Sequence, residues 1–168
     1  RTDAGVHAKA QVANFRTKSN IPLDKLQLAL NGNLPEDIAI ISVKEKPLTF
    51  HSRFDAKSIT YRYCILNRRD PTAIFRHSVY FYPHPLDLKL IRQEAGCFLG
   101  RHNFKSFQAA DKKHRSPVKT IKKITISKSK TGLINIDIAA SGFAYNMVRN
   151  IVGTLIEIGR KRLKKGDL

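Results

Sequence analysis

Between Thr120 and Ser141 the chain alternates apolar and polar side chains about a single turn signal. Ile124 and Ile126 precede Thr131-Gly132, and Ile134, Ile136 and Ile138 follow it. Side chains on a strand point to opposite faces with period two, so this pattern buries one face and leaves the other polar. The stretch is therefore predicted to be an antiparallel hairpin, and the rest of the fold must supply something apolar to cover it. "SITYRYCIL" (58–66) alternates in the same way, with Ile59, Tyr61, Tyr63 and Ile65 on one face and Thr60, Arg62, Cys64 and Leu66 on the other. Two tyrosines thus share a side.

The cover comes from segments with helical spacing. Pro22 suits a helix start, followed by Leu23, Leu26 and Leu30, with Asn31-Gly32 as the expected stop. "LDLKLIRQEAGCFLG" sets Leu88, Ile91, Ala95 and Phe98 along one stripe that Gly100 ends. "YNMVRNIVGTLIEIG" does the same with Val148, Ile151, Val152, Leu155 and Ile156, before the basic run "RKRLKKGD". Further strands are predicted in "AKAQVANFRT", "DIAIISV" and "SVYFY", and a loop in "RHNFKSFQAADKKHRSPVK". The expected fold class is α+β, an antiparallel sheet with helices on one face.

Lys and Arg number 31 against 13 Asp and Glu, a formal charge of +18, and residues 101–168 carry 16 basic and 4 acidic side chains. A field of that sign gathers polyanions, and nucleic acid is the leading partner class. Cys64 and Cys97 fit neither a disulfide framework nor a zinc site, so a reducing compartment is expected. No stretch approaches the roughly 20 apolar residues of a membrane helix. The six histidines are scattered and no phosphate-cradling glycine loop occurs, so neither a metal nor a nucleotide cofactor is expected.

Chemistry must then come from ordinary side chains, and Asp3 is the foremost candidate. It sits in a turn-prone stretch with Gly5, where a carboxylate serves as nucleophile or base, or simply closes an Asx-turn or caps a helix. Arg149 interrupts an apolar helix, on the side of Tyr145, Val152 and Ile156 predicted to face the core, and a buried arginine requires a carboxylate partner. Tyr61 and Tyr63 with Arg62, and Phe104 and Phe107 with Lys105, interleave rings with cations, which suits base stacking as well as plain core packing.

Four stretches, "RTDAGVHA" (1–8), "FHSRFDAKSITYRY" (50–63), "GRHNFKSF" (100–107) and "GFAYNMVRNIVG" (142–153), together resemble the ordered motifs of the pseudouridine synthases that modify tRNA positions 38, 39 and 40. The resemblance implies that Asp3 is the nucleophile attacking the target uridine and that Arg149 is its basic partner. Tyr61 packs on the target base, and Arg1 fills the space of the flipped nucleotide. Gly5 and His7 shape the loop, and Arg53 and Phe104 join the substrate-binding set. It implies an antiparallel α+β fold around a catalytic cleft, with about 1–50 in the N-terminal half and about 51–168 in the C-terminal half. It further implies tRNA as substrate through its anticodon arm, a homodimer, a cytoplasmic location and no cofactor. Family members begin upstream of this chain's Arg1 and continue past Leu168, so the chain is expected to be their central catalytic portion, with an open sheet edge for self-association. A non-catalytic RNA-binding relative and a basic ribosome-associated protein are the competing readings.

Overall fold

The structure is a computed structural model that describes residues 2–110, 116–163, 166 and 167. The chain divides into two units, Arg1–Ala56 and Lys57–Leu168.

The first unit holds one helix, α1 (Leu23–Asn33), with Pro22 at its N-cap. The helix runs through Gly32 and ends where Leu34, held extended ahead of Pro35, leaves helical geometry. The strands predicted at 8–17 and 37–43 do not form among the described residues. Side-chain amides supply the reason at 40–41. Asn31 brackets Ile40, accepting from its N–H at 2.7 Å and donating to its carbonyl at 3.1 Å, while Gln27 Nε2 donates to the carbonyls of Ile40 and Ile41, both at 2.9 Å. Backbone groups answered by a helix side chain are not available to a ladder.

The second unit is a five-stranded sheet of order β2-β1-β5-β4-β3 with two helices. Its strands are β1 (Ile59–Leu66), β2 (Tyr80–Phe81), β3 (Gly100–Asn103), β4 (Val118–Lys128) and β5 (Leu133–Ala140). The predicted hairpin is β4-β5, in register Ile124 to Ile138 and Ile126 to Ile136. β1 lies antiparallel on the other side of β5, pairing Tyr61 with Ile138 and Tyr63 with Ile136. Two expectations are corrected. β2 pairs parallel to β1, which makes the sheet mixed, and residues 100–103, read as loop, form an edge strand antiparallel to β4.

The inward face of the sheet carries Ile65, Ile134, Ile136, Ile138 and Ala140, and α2 (Leu88–Glu94) and α3 (Met147–Gly159) complete the core. Asp87 caps α2, its carboxylate accepting from the Leu90 N–H at 3.0 Å. α2 and α3 meet where α3 ends. A Cβ on Gly159 would stand 2.5 Å from Ile91 Cδ1 and 2.9 Å from its Cγ1, and Ile91 is itself fully buried. Gly159→Ala is therefore expected to destabilise by about 1–3 kcal/mol through overpacking, despite alanine's better helix propensity. A urea midpoint at or above that of the parent chain would contradict this close approach.

On the opposite face, Arg62 and Asp137 pair across β1 and β5 in a two-pronged bridge, Nε to Oδ1 at 2.7 Å and Nη2 to Oδ2 at 2.8 Å. The Arg62 hydrogen bond holds the Asp137 carboxyl below its ordinary value, outweighing the opposing effect of burial. A depressed carboxyl stabilises above the unfolded value of about 3.9, and that contribution disappears as acid titrates the folded group. The melting-temperature gap between parent and Asp137→Asn is thus expected at neutral pH and should close as pH falls below that value.

Candidate active site

Two of the four sequence stretches and the latter part of a third, residues 57–63, converge within the second unit. β1 carries Tyr61 and Tyr63 on the side facing α3, and Tyr61 meets the Phe143 ring edge-on at 5.2 Å between centroids. Phe143 is a neighbour that sequence reasoning did not single out, although it lies inside the "GFAYN" stretch. The 3₁₀ turn Lys105–Phe107 is tied to the start of α3: Asn150 Nδ2 donates to the Phe107 carbonyl at 2.8 Å, and the Ala109 N–H donates to the Tyr145 carbonyl at 3.0 Å. Asn146 takes a left-handed conformation, φ 57°, at the N-cap of α3, a geometry that asparagine tolerates better than most residues.

Arg149 is exposed, which corrects the expectation that it faces the core. α3 buries Met147, Ile151, Val152, Leu155, Ile156 and Ile158, and Arg149, in the first turn, lies at the border of that face, about 160° around the helix from Ile151 and about 60° from Val152. Burial therefore makes no demand for a carboxylate, and the argument for pairing that rested on it falls. Arg149 still acts on the tyrosine row. Burial raises the Tyr63 hydroxyl above its ordinary pKa, the Arg149 charge pulls it back, and Tyr80 adds to the rise. Arg149→Ala is expected to move the Tyr63 titration further upward, read from ring resonances in an alkaline NMR titration. An unmoved Tyr63 would place the guanidinium out of electrical reach.

Phe104 is also corrected. At 2% exposure it is packed among Phe98, Phe107 and His102, and a ring so enclosed has no face to offer a base. Within the first unit, Asp3 lies on a tight turn closed by the Val6 N–H donating to the Asp3 carbonyl at 3.2 Å. Gly5 occupies the position that needs positive φ, here 74°, as a type II turn requires. The Asp3 side chain is exposed, as are His7 and Arg53. Arg53 packs its guanidinium over the Phe54 ring at 5.5 Å. Arg1 lies outside the described residues, as do positions 111–115 of the basic segment. Among the described residues, no three His, Cys, Asp or Glu side chains gather in a metal-binding group, and no helix is long and apolar enough to cross a membrane.

A mixed α+β sheet with tyrosines, a phenylalanine and an arginine along one edge suits a domain that handles nucleic acid bases and phosphates. A family model described as tRNA pseudouridine synthase matches residues 1–55 and 95–168, and the chain belongs to that family. It is 45% identical over 163 residues to tRNA pseudouridine synthase A of Clostridium acetobutylicum, covering 97% of this chain and 66% of that protein. It is 42% identical over 168 residues to tRNA pseudouridine synthase A of Acetivibrio thermocellus, and 46% over 164 to tRNA pseudouridine synthase A 2 of Clostridium perfringens. All of this chain and 68% of the Acetivibrio protein are covered, against 98% and 67% for the second Clostridium protein. The chain thus spans about two thirds of the length of these relatives.

Proposed function

We propose that this chain is the uridine-isomerising portion of a tRNA pseudouridine synthase acting at positions 38, 39 and 40 of the anticodon arm, with Asp3 as nucleophile. In the reaction the bond between the ribose and N1 of uracil breaks, the base turns, and a carbon–carbon bond forms through C5. The C5 proton goes to solvent and N1 takes up a proton, so no atom is gained or lost and no oxidant or reductant is consumed. The observation that carries the reading is the gathering of residues from three family motifs in one unit, with Tyr61 against Phe143 and Arg149 on the helix beside them. In this reading the Tyr61 ring packs on the extruded base, and Arg149 supplies a cation for a neighbouring phosphate. Taking a base out of its stack costs a few kcal/mol, which basic contacts to the backbone offset. The formal charge of +18 supplies them. The protein acts as a homodimer in the cytoplasm.

The test follows from the proton balance. tRNA carrying 5-tritiated uridine should release tritium to solvent when incubated with the chain. Binding of tRNA without release would favour a non-catalytic RNA-binding relative.

A further inference from the structure

Beyond the C-terminal end of α3 lies a pocket of about 240 Å³, lined by Tyr82, His84, Pro85, Arg160 and Arg162. It stands apart from the proposed site. Ten residues along α3 separate Arg149 from Gly159, about 15 Å at the usual helical rise, and five along β1 separate Tyr61 from Leu66, about 16 Å. The Tyr82 N–H donates to the Leu66 carbonyl at 2.9 Å, which fixes the pocket to that far end of β1.

Its walls are rigidly held. Asn67 Nδ2 donates to the carbonyls of Tyr82, at 3.0 Å, and His84, at 2.7 Å. The His84 ring meets the Tyr82 ring edge-on at 5.5 Å, and the Arg160 guanidinium lies over the same ring at 5.8 Å. The polar groups are unbalanced toward donors. Arg160 Nη1 is engaged by Glu157 Oε1 at 2.8 Å, but Arg162 reaches Glu157 Oε2 only at 3.6 Å and its side chain is 64% exposed. Most of that five-donor fork faces solvent. Lys161, beside them, is engaged loosely by Asp87 at 3.8 Å. Tyr82 is only 7% exposed, and its hydroxyl is the one buried side-chain polar atom among the described residues that lacks a partner.

We propose that this pocket binds a phosphate-bearing nucleotide unit of an RNA chain, an inference that rests on the tRNA-directed reading above. Arg162 supplies the planar fork that matches phosphate oxygens, and His84 with the Arg160 plane supplies flat surfaces for a base. The volume falls below the roughly 300–1,000 Å³ of pockets that enclose drug-sized ligands, so one nucleotide unit fits and a folded segment does not. The pocket is a second point of hold on the RNA, remote from the isomerised base.

The experiment is fluorescence anisotropy with a labelled, unmodified tRNA transcript at several KCl concentrations, comparing the parent chain, Arg162→Ala and Arg162→Lys. Each phosphate contact contributes about 0.9 to the slope of log K against log salt. Arg162→Ala is expected to flatten that slope by about 0.9 and to weaken binding about fivefold at 0.15 M salt, with Arg162→Lys restoring much of both. Because Arg162 is exposed, the melting temperature should stay unchanged. A parallel NMR titration with uridine monophosphate separates the sources of phosphate. Saturable shifts that vanish in Arg162→Ala, with the tRNA slope unchanged, would keep the phosphate site and assign it a free nucleotide. An unchanged slope together with no saturable shift overturns the proposal. Neither readout uses turnover, so parent chain that fails to bind tRNA fells the functional reading, while the nucleotide titration still decides the pocket.

Discussion

Asp3→Asn is expected to eliminate tritium release from 5-tritiated uridine in tRNA, by a factor of at least about a thousand, while leaving tRNA affinity within about twofold. Asparagine keeps the shape of the side chain and is as well suited to a turn as aspartate. The turn is closed by backbone, Val6 N–H to the Asp3 carbonyl, and its positive φ is taken by Gly5, so neither depends on the carboxylate. Only the second carboxylate oxygen, and with it the nucleophile, is lost. Affinity resides elsewhere, in a chain with 31 basic side chains, and removing one exposed carboxylate from so cationic a protein cannot weaken its attraction for a polyanion. Equal release by parent and variant would exclude Asp3 as nucleophile. Release falling in step with affinity would make Asp3 a binding residue instead.

The parts of this molecule legible in the sequence are those in which periodicity and burial coincide. β5 obeys period two over all eight residues, and its buried isoleucines are the ones that alternation selects, whereas β4 breaks register between Ile121 and Lys123 and β1 ends with Ile65 and Leu66 both buried. β2 was legible only as an extended segment: its two residues are too few to announce a parallel neighbour. β3 has four exposed residues, so its burial pattern has nothing to show, and it is a strand only because β4 runs beside it. The segment at 37–43 has strand-like composition but gives the backbone of Ile40 and Ile41 to Asn31 and Gln27, a competition that apolar patterning does not register. Arg149 was misplaced because burial was carried back from Val152 and Ile156, which are in the core, to the start of the helix, where Tyr145 and Arg149 are exposed. Phe104 carried the same ambiguity, and burial resolved it toward the core. For the site, residue types and their order were legible as motifs, while neighbours such as Phe143 were not, because proximity across a sheet edge leaves no trace in spacing.

The stability of the second unit should depend on one buried polar side chain as well as on its isoleucines. Asn67 is 7% exposed and closes four hydrogen bonds at the end of β1. Its amide nitrogen serves the carbonyls of Tyr82 and His84, its amide oxygen accepts from Lys128 Nζ at 3.3 Å, and its backbone N–H donates to the Gly132 carbonyl at 2.9 Å. Asn67→Ala removes the side-chain donors and strands the buried Tyr82 carbonyl, at about 1–3 kcal/mol, while the carbonyl of exposed His84 can turn to water. A loss of about 1–3 kcal/mol in unfolding free energy is expected, measured by urea denaturation. Asn67→Asp should cost at least as much, because it sets acceptor oxygens against those carbonyls. Gly132 meets the same residue from the hairpin turn. Its φ is 85°, and a Cβ there would lie 2.8 Å from the Asn67 carbonyl oxygen, so Gly132→Ala displaces what Asn67 holds. The clash is with backbone that Asn67→Ala leaves in place, but shifting that backbone also shifts the amide it carries, so the double variant is expected to lose less than the sum of the single ones. Strict additivity would mean that turn and amide act independently, and an Asn67→Ala chain as stable as its parent would mean that water has taken the amide's place.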